Sequence, residues 1–558
     1  RAKPVKRVFI PKANGKLRPL GIPTYADRMV QNAQREILQR IYEPVFSTHS
    51  YGFRPGRSCH SALHQVQRYW SATKWFVEVD IKGFFDNIDH DVLLNLLRQK
   101  IDDETFVATI RAQLQAGAME HLTSEARTNR SGASRWKYRH SYSGTPQGGI
   151  VSPILANIYL HELDRFMEVE TEAFNRGNGR ADNPPHKRIM DRLRNRRKKV
   201  RALGNDDKES PKRQHLIAEI KELTRTMRTL PSGDPMDPGY RRLNYARYAD
   251  DFLIGVIGSK ADAAAVLARI RAFLKDTLHL DVSEEKTGIV KATAGARFLG
   301  YDVRTKTGVR ITRERRADFV TTRRTAAERV VLTIPTEKLI SFCNKHGYGA
   351  YCEGKGTHRS FMAHSTDYEI VNIYNAELRG LANYYRLDAR VKSRISKLAR
   401  VANLSLYKTL AMKHKDSTSN MRRRLRKPDG RYVVRHMGRN GKVLEIATWF
   451  PSDIRDVGKP SIHQNVDRAP LGALAALSRT DVTDRLLAGK CENEYCTSPK
   501  GTPIQVHHVR AIADVGQAVG LSWLASARQR KTRYLCTECH PMVRTGARQR
   551  QVKYTDGE

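Results

Sequence analysis

The spacing of apolar residues changes period several times along the chain, and each change predicts an element. Residues 5–23 (VKRVFIPKANGKLRPLGIP) alternate apolar and polar positions about Gly15, which predicts a strand pair. The chain enters this pair at once, so its start is expected to fall inside a domain. Residues 75–81 (WFVEVDI) alternate with Val77, Val79 and Ile81 on one face, which places Asp80 at a strand end. Gly83 breaks that run, and FFDNIDHDVLLNLL then takes helical spacing. Residues 245–257 (YARYADDFLIGVI) read as two short β runs with a pair of acids near the bend. Ser259 and Asp262 form a capping box, and Val266, Ile270, Phe273 and Leu274 give the following helix one apolar stripe.

Residues 166–243 differ in character. They hold few aromatics, a Pro184–Pro185 pair, and nine Lys/Arg against one Asp between His186 and Arg201, which predicts an inserted, partly helical, solvated basic element. Beyond about residue 310 the pattern is expected to be mostly helical. Thr366 and Glu369 cap one such helix, whose apolar face is Ile370, Ile373, Tyr374, Leu378, Leu381 and Tyr385. Residues 421–470 are rich in Arg, Gly and Pro with little periodicity, suiting a nucleic-acid-binding linker, and a Cys/His cluster follows 480.

Composition narrows the function. The chain has 558 residues, 40% of them hydrophobic, enough for three to five domains at roughly 100–200 residues each. No apolar run is long enough to span a bilayer and no signal leader opens the chain, so neither a membrane nor a secreted location is expected. Lys and Arg number 99 against 58 acids, a net charge of +41 that would repel itself unless it meets a polyanion. Nucleic acid is the expected partner, against the alternative of a merely solvated basic surface. Of seven cysteines, Cys491, Cys496, Cys536 and Cys539 pair as C-x4-C and C-x2-C, the spacing of a metal site in a reducing compartment.

Two adjacent acids in a β-turn repel each other, so YADD between apolar strands is costly unless a cation offsets the charge. Asp80, at the end of another strand, could complete with Asp250 and Asp251 a site for two Mg²⁺ ions of the kind used in phosphoryl transfer. A solvated acidic turn is the alternative for DD taken alone.

The surrounding motifs decide between them. KLRPLGIPTYADRMVQ, SYGFRPGRSCHSA, VDIKGFFDNIDH, GTPQGGIVSPILANIYLHELD, RYADDFLIGV, LDVSEEKTGIV and FLGYDV follow in the order of reverse-transcriptase blocks, and the chain resembles group II intron-encoded proteins across almost its whole length. The resemblance implies an α+β multidomain protein: right-hand fingers and palm, an α-helical thumb or maturase domain, and a small zinc-bound ββα-metal HNH domain. It implies Asp80, Asp250 and Asp251 as catalytic metal ligands that align a primer 3′-hydroxyl with an incoming dNTP. Lys12 and Arg18 would grasp the triphosphate from the fingers strands, with ordinary surface cations as the alternative. Phe85 would clash with a ribose 2′-hydroxyl, although one of Phe84 and Phe85 must be core. Gln147 would lie near the nascent pair, Lys286 would donate a proton to pyrophosphate, and FLGY would grip the primer. EIVNIYNAELRGLANYY with SLYKTLAMKHK resembles the thumb, which either tracks folded RNA or holds the template–primer duplex.

CENEYC, VHHV and CTECH resemble an HNH nuclease, with the four cysteines as structural Zn²⁺ ligands, or else as buried thiols. By that resemblance His507 and His540 are ligands of the nuclease metal, Mg²⁺ being expected, and His508 is the general base. The family continues C-H-x-x-x-H; here CHPMVR puts Arg544 at the second His, and an obligate cation cannot bind metal.

The expected organisation is therefore fingers and palm over 1–310 with the basic insertion at about 166–243, thumb over 311–420, a DNA-binding linker over 421–475 and HNH over 476–558. The expected function is a reverse transcriptase and maturase. It binds its intron RNA as a lariat ribonucleoprotein, assists splicing, nicks target DNA and copies the intron from the new 3′-hydroxyl, in a bacterial cytosol or nucleoid or in an organelle. The alternatives are a splicing-only maturase with an inactive endonuclease, and a cellular reverse transcriptase unconnected with introns.

Overall fold

This computed structural model describes residues 2–11, 17–121, 136–203, 210–307, 310–316, 319–325, 328–363, 365–427, 431–437, 443–461, 485–486, 488–499, 501–509 and 532–544. They fall into two compact units: Arg1–Thr333 with Pro460–Asp467, and Ile334–Lys459 with Arg468–Glu558.

The first unit opens with the expected strand pair. Strands β1 (Val5–Pro11) and β2 (Leu17–Ile22) run antiparallel with Ile10 opposite Arg18. Helices α1 (Tyr25–Tyr42) and α2 (Cys59–Tyr69) follow, capped by the Thr24 and Ser58 hydroxyls. Strand β3 (Trp75–Asp80) leads to the short helix α3 (Phe84–Asn87) and then α4 (His90–Arg98) and α5 (Glu104–Leu114). FFDNIDHDVLLNLL is thus two helices rather than one. The Asp89 carboxylate accepts the Asp91 and Val92 N–H groups, and this cap restarts the helix. Strands β4 (Ala118–His121) and β5 (Trp136–Arg139) join the first pair in a sheet of order β2-β1-β4-β5.

Helix α6 (Ser152–Phe174) runs past residue 166 and buries Met167, so the inserted element begins after it. The insertion is a helical hairpin, α7 (Pro184–Ala202) and α8 (Pro211–Thr229), closed by buried Leu193 and Leu216 and an Arg196–Glu219 ion pair at 2.7 Å. Prolines in the first turn start both helices. The chain then returns as β6 (Arg242–Tyr248), β7 (Asp251–Ile257), the helix α9 (Lys260–Asp276) with its expected Ser259–Asp262 capping box, and β8 (Gly288–Lys291). The second sheet has order β6-β7-β3-β8 and packs on one apolar core drawn from α4, α5, α6 and α9.

The described residues of 310–333 are not helical. They form β11 (Arg310–Arg316), β12 (Phe319–Thr325) and β13 (Arg329–Thr333), after β9 (Ala296–Phe298) and β10 (Tyr301–Lys306); β13 pairs with β10 and ends the first unit. Ile311, Thr312, Val320, Thr321, Thr322, Val330 and Val331 favour strand, and the many arginines between them hide that pattern from an apolar count.

The second unit is chiefly helical: α10 (Thr336–His346), a two-residue ladder β14 (Gly349–Ala350) and β15 (Lys355–Gly356), α11 (Asp367–Tyr384), α12 (Val391–Lys413) and α13 (Thr418–Leu425). The Thr366–Glu369 capping box starts α11 as expected. The described residues of 421–461 are more regular than their composition suggests, since β16 (Val433–Met437) and β17 (Val443–Ala447) pair antiparallel. The Cys/His segment contributes β18 (Ile504–His508), β19 (Thr532–Cys536) and α14 (Cys539–Arg544).

Candidate active site

The β3–β7 register places Asp80 directly opposite Asp251, and the β6–β7 hairpin turns through Ala249 and Asp250. Ala249 takes φ +57°, a left-handed conformation that costs free energy in a residue with a Cβ and needs support from around it. Arg247 supplies that support. It is fully buried and every one of its five N–H donors is used: two on the Asp164 carboxylate (2.7 and 2.5 Å), and one each on Asn157 Oδ1 (3.0 Å), Ser50 Oγ (2.8 Å) and the Ala249 carbonyl (3.0 Å). The backbone of residues 49–51 clamps the same arginine, since Arg247 N–H donates to His49 O and Tyr51 N–H to Arg247 O, both at 2.9 Å. Gly52 continues this contact; a Cβ there would lie 2.4 Å from the Ala249 nitrogen.

The turn concentrates negative charge. Burial, and then the charge of Asp80, raises the Asp250 carboxyl above its usual range, while Arg18 works in the opposite direction. Burial by surrounding protein atoms, followed by the charges of Asp250, Asp80 and Glu78, pushes Asp251 up to about 7, although the outer face of that residue remains open to solvent. Lys286 Nζ sits 2.9 Å from Asp80 Oδ2, an ammonium on one edge of the cluster. Crowding that raises Asp250 and holds a proton on Asp251 near neutrality suits a divalent cation, which releases that proton and offsets the repulsion.

A second ligand set lies in the other unit. The sulfurs of Cys491, Cys496, Cys536 and Cys539 all fall within 4.8 Å of one another, the spacing of four donors around one metal. Backbone N–H groups of Cys536 and Cys539 point at Cys491 and Cys536 sulfur, each at 3.4 Å, and Asn493 donates to Cys539 at 3.3 Å. Burial opposes ionisation of the Cys536 thiol, but the Ser498 hydroxyl at 3.1 Å and the Cys539 N–H outweigh it and hold that thiol at about 6. Burial drives Cys539 up to about 12. Among the described residues no other group of three or more side chains gathers its ligand atoms in this way, Asp80, Asp250 and Asp251 included. His507 and His540 adjoin, ring centres 5.2 Å apart; His508, next along β18, extends from the opposite face of the strand. The side chain of Arg544 lies outside the described residues.

Comparison with known proteins supplies the family. Residues 10–176 match the reverse transcriptase (RNA-dependent DNA polymerase) family, 327–430 the type II intron maturase family, and 491–540 the AI2M/AI1M-like HNH endonuclease family. The chain is 35% identical to the group II intron-encoded protein LtrA of Lactococcus lactis subsp. cremoris, over 97% of this chain and 86% of that one. The chain belongs to the group II intron-encoded proteins. It is also 31% identical to a 91 kDa protein in the cob intron of Schizosaccharomyces pombe (96% of this chain, 62% of that one). With the putative COX1/OXI3 intron 2 protein of Saccharomyces cerevisiae it shares 29% identity (97% and 59%). It is a reverse transcriptase and maturase with an HNH endonuclease domain.

In this intron-encoded protein, Phe84 is core and Phe85 lines a cavity of about 420 Å³ together with Gln147. None of the three carboxylates lines that cavity. The loop carrying Gln147 is pinned from two sides: Thr145 N–H donates to Phe85 O, and Gly21 N–H to Gln147 O, both at 2.7 Å. Gly144 (φ +81°) and Gly148 (φ +113°) permit this, since a Cβ at either would meet a backbone oxygen within 2.8 Å. Arg18 is exposed on β2 and its charge reaches Asp250. Lys12 lies outside the described residues. Sequence reasoning missed Arg247 and Asp164; the available signals were an arginine inside a strand of buried residues and one acid amid the apolar face of α6.

Proposed function

We propose that Asp80, Asp250 and Asp251 form the polymerase centre of this intron-encoded protein. The observation that carries this reading is the register pairing Asp80 with Asp251 beside a turn that Arg247 holds open for Asp250. The donor set is hard oxygen, which favours Mg²⁺, and a pair of such ions would stabilise the attacking and leaving oxygens of phosphoryl transfer. In this reading the carboxylates position the primer 3′-hydroxyl, Lys12 and Arg18 bind the triphosphate, Phe85 excludes a 2′-hydroxyl, Gln147 abuts the nascent pair, and Lys286 leaves Asp80 to protonate pyrophosphate.

The four thiols bind Zn²⁺ as a structural ion. His507 and His540 hold a separate divalent ion, and His508 acts as general base in nicking target DNA. The partners are intron RNA, target DNA and dNTPs, and the exposed Arg194, Arg197 and Lys198 of α7 offer phosphate contacts. No helix of the described residues is long and apolar enough to cross a membrane, and the proposed compartment is the bacterial cytosol or nucleoid, by likeness to the Lactococcus protein. The chain divides by role as fingers and palm, thumb, DNA-binding linker and nuclease.

Primer extension on an RNA template tests this. Asp250→Asn should abolish synthesis while RNA affinity and splicing assistance persist; loss of RNA affinity in equal measure would make the acids structural.

A further inference from the structure

The second unit carries a cleft of about 530 Å³ between the C-terminal part of α11, the β16–β17 hairpin and residues 448–456. Asn375 fixes its wall, donating to Ala447 O at 2.7 Å and accepting the Trp449 N–H at 2.8 Å. Three segments each bring an arginine to it: Arg379 from α11, Arg386 from just beyond that helix, and Arg455.

The acids of the cleft are already engaged. Asp453 accepts from Arg431 at 2.6 Å and from the Phe450 N–H at 3.0 Å, and Asp456 pairs with Lys459 at 3.1 Å. Among the described residues Arg379, Arg386 and Arg455 make no ion pair, and Arg386 Nε is enclosed without a hydrogen-bond partner. Gathering three guanidinium groups whose neighbouring carboxylates are paired elsewhere costs repulsion that a visiting anion relieves. Guanidinium forks match phosphate oxygens in bidentate geometry, and the volume lies in the range of about 300–1,000 Å³ typical of small-ligand sites, room for one nucleotide. The Asn383 amide adds a donor and an acceptor within the same cleft.

We propose that this cleft seats the phosphodiester of one unpaired nucleotide in a single strand, gripped by Arg379, Arg386 and Arg455. The proposal rests on the reading of the chain as a nucleic-acid-handling protein and adds a binding site to it. RNA and DNA share this phosphate chemistry, so the test carries an arm for each.

The probes are fluorescein-labelled oligouridylate and oligothymidylate of about 12 nucleotides, read by anisotropy with the full-length protein. Arg379→Gln with Arg455→Gln changes two exposed residues; Arg386→Lys keeps the charge and removes the fork. Each phosphate contact on a single strand contributes about 0.7 to the slope of log affinity against log salt, so the double variant should lower the slope by about 1.4 and weaken binding roughly tenfold at about 0.15 M salt. Arg386→Lys should weaken binding about threefold at an unchanged slope. Lys260→Gln with Lys275→Gln, an equal change of charge on α9, should leave both quantities nearly unaltered. Loss confined to uridylate assigns the cleft to RNA, loss confined to thymidylate to DNA, and loss on both to the shared backbone. Equal losses in cleft and control variants, or none in the cleft variants, would overturn the proposal. Primer extension by the same proteins is read separately: wild type that cannot extend contradicts the polymerase reading and leaves the binding result standing.

Discussion

Around Asp80, Asp250 and Asp251 the protein builds on a large apolar core, whereas around Cys491, Cys496, Cys536 and Cys539 the ligands are themselves most of the buried cluster among the described residues. The carboxylates hang from strands packed on a core that spans β3, β7, α4, α5, α6 and α9, and Arg247 fixes their turn with five hydrogen bonds. The buried cluster beneath the thiols is Leu535, Cys536 and Cys539, with Cys491, Cys496 and Ile504 against it. In the proposed reading a metal at the first site serves chemistry. At the second it would serve folding, because so small an apolar cluster among the described residues would not offset the entropy of ordering the chain.

Removing metal should separate the two sites most widely. Structural zinc in small modules contributes on the order of 10–16 kcal/mol, so a strong chelator should unfold the thiol module and leave the first unit's melting transition in place. Hydrogen exchange would report this as lost protection in β18, β19 and α14. Retained protection there would place the module's stability in its packing and erase the contrast.

Breaking the scaffold from within should have the next largest effect. Arg247→Ala leaves the Asp164 carboxylate fully buried with Tyr245 as its remaining donor at 2.9 Å. Removing one partner of such a pair costs about 3–5 kcal/mol, so denaturant unfolding of the first unit should shift by that amount and primer extension should be lost. Lys286→Ala breaks an exposed pair worth about 0–1 kcal/mol and should leave stability nearly unchanged while slowing synthesis. Similar stability losses in both variants would mean that the buried Arg247–Asp164 pair contributes no more than an exposed one.

These residues also mark where the sequence was readable. Asp80 and the YADD turn were placed correctly because apolar alternation on three strands fixes which residues end them. Both capping boxes were legible because a hydroxyl and an acid three residues apart satisfy helix-end N–H groups locally. The strands at 310–333 and the hairpin at 433–447 were not legible, because their arginines interrupt the alternation and only pairing with a neighbour makes strand the better state. Arg247 was illegible for a related reason: its partners, Ser50, Asn157 and Asp164, are distant in sequence, and an arginine viewed alone looks like a solvated cation. Phe84 and Phe85 could be separated only by seeing which one reaches the core.

The smallest effect concerns pH and lies in the second unit. Burial alone would raise the Glu377 carboxyl, but His346 (2.9 Å) and Arg359 (3.0 Å) outweigh it and hold it below the usual glutamate range. A carboxyl whose folded value is depressed contributes stability that is present above about pH 4.5 and is lost as pH falls below it. Urea pulse proteolysis scoring peptides of 334–427 should therefore show a midpoint that declines below about pH 4.5, and Glu377→Gln should start lower and decline less there. An identical slope in both proteins would assign the acid sensitivity to other groups.

Cation binding at the three carboxylates is the most direct measure of the account. Mn²⁺ titrated by electron paramagnetic resonance into the zinc-loaded protein, with a dideoxy-terminated primer on an RNA template and the next dNTP, should reveal tight sites in wild type. The double variant Asp250→Asn with Asp251→Asn should lose them while its melting transition stays in place. Binding should also weaken as pH falls through about 7, where Asp251 takes up a proton. Mn²⁺ binding of equal stoichiometry and affinity in the double variant would contradict the assignment of Asp80, Asp250 and Asp251 as the polymerase centre.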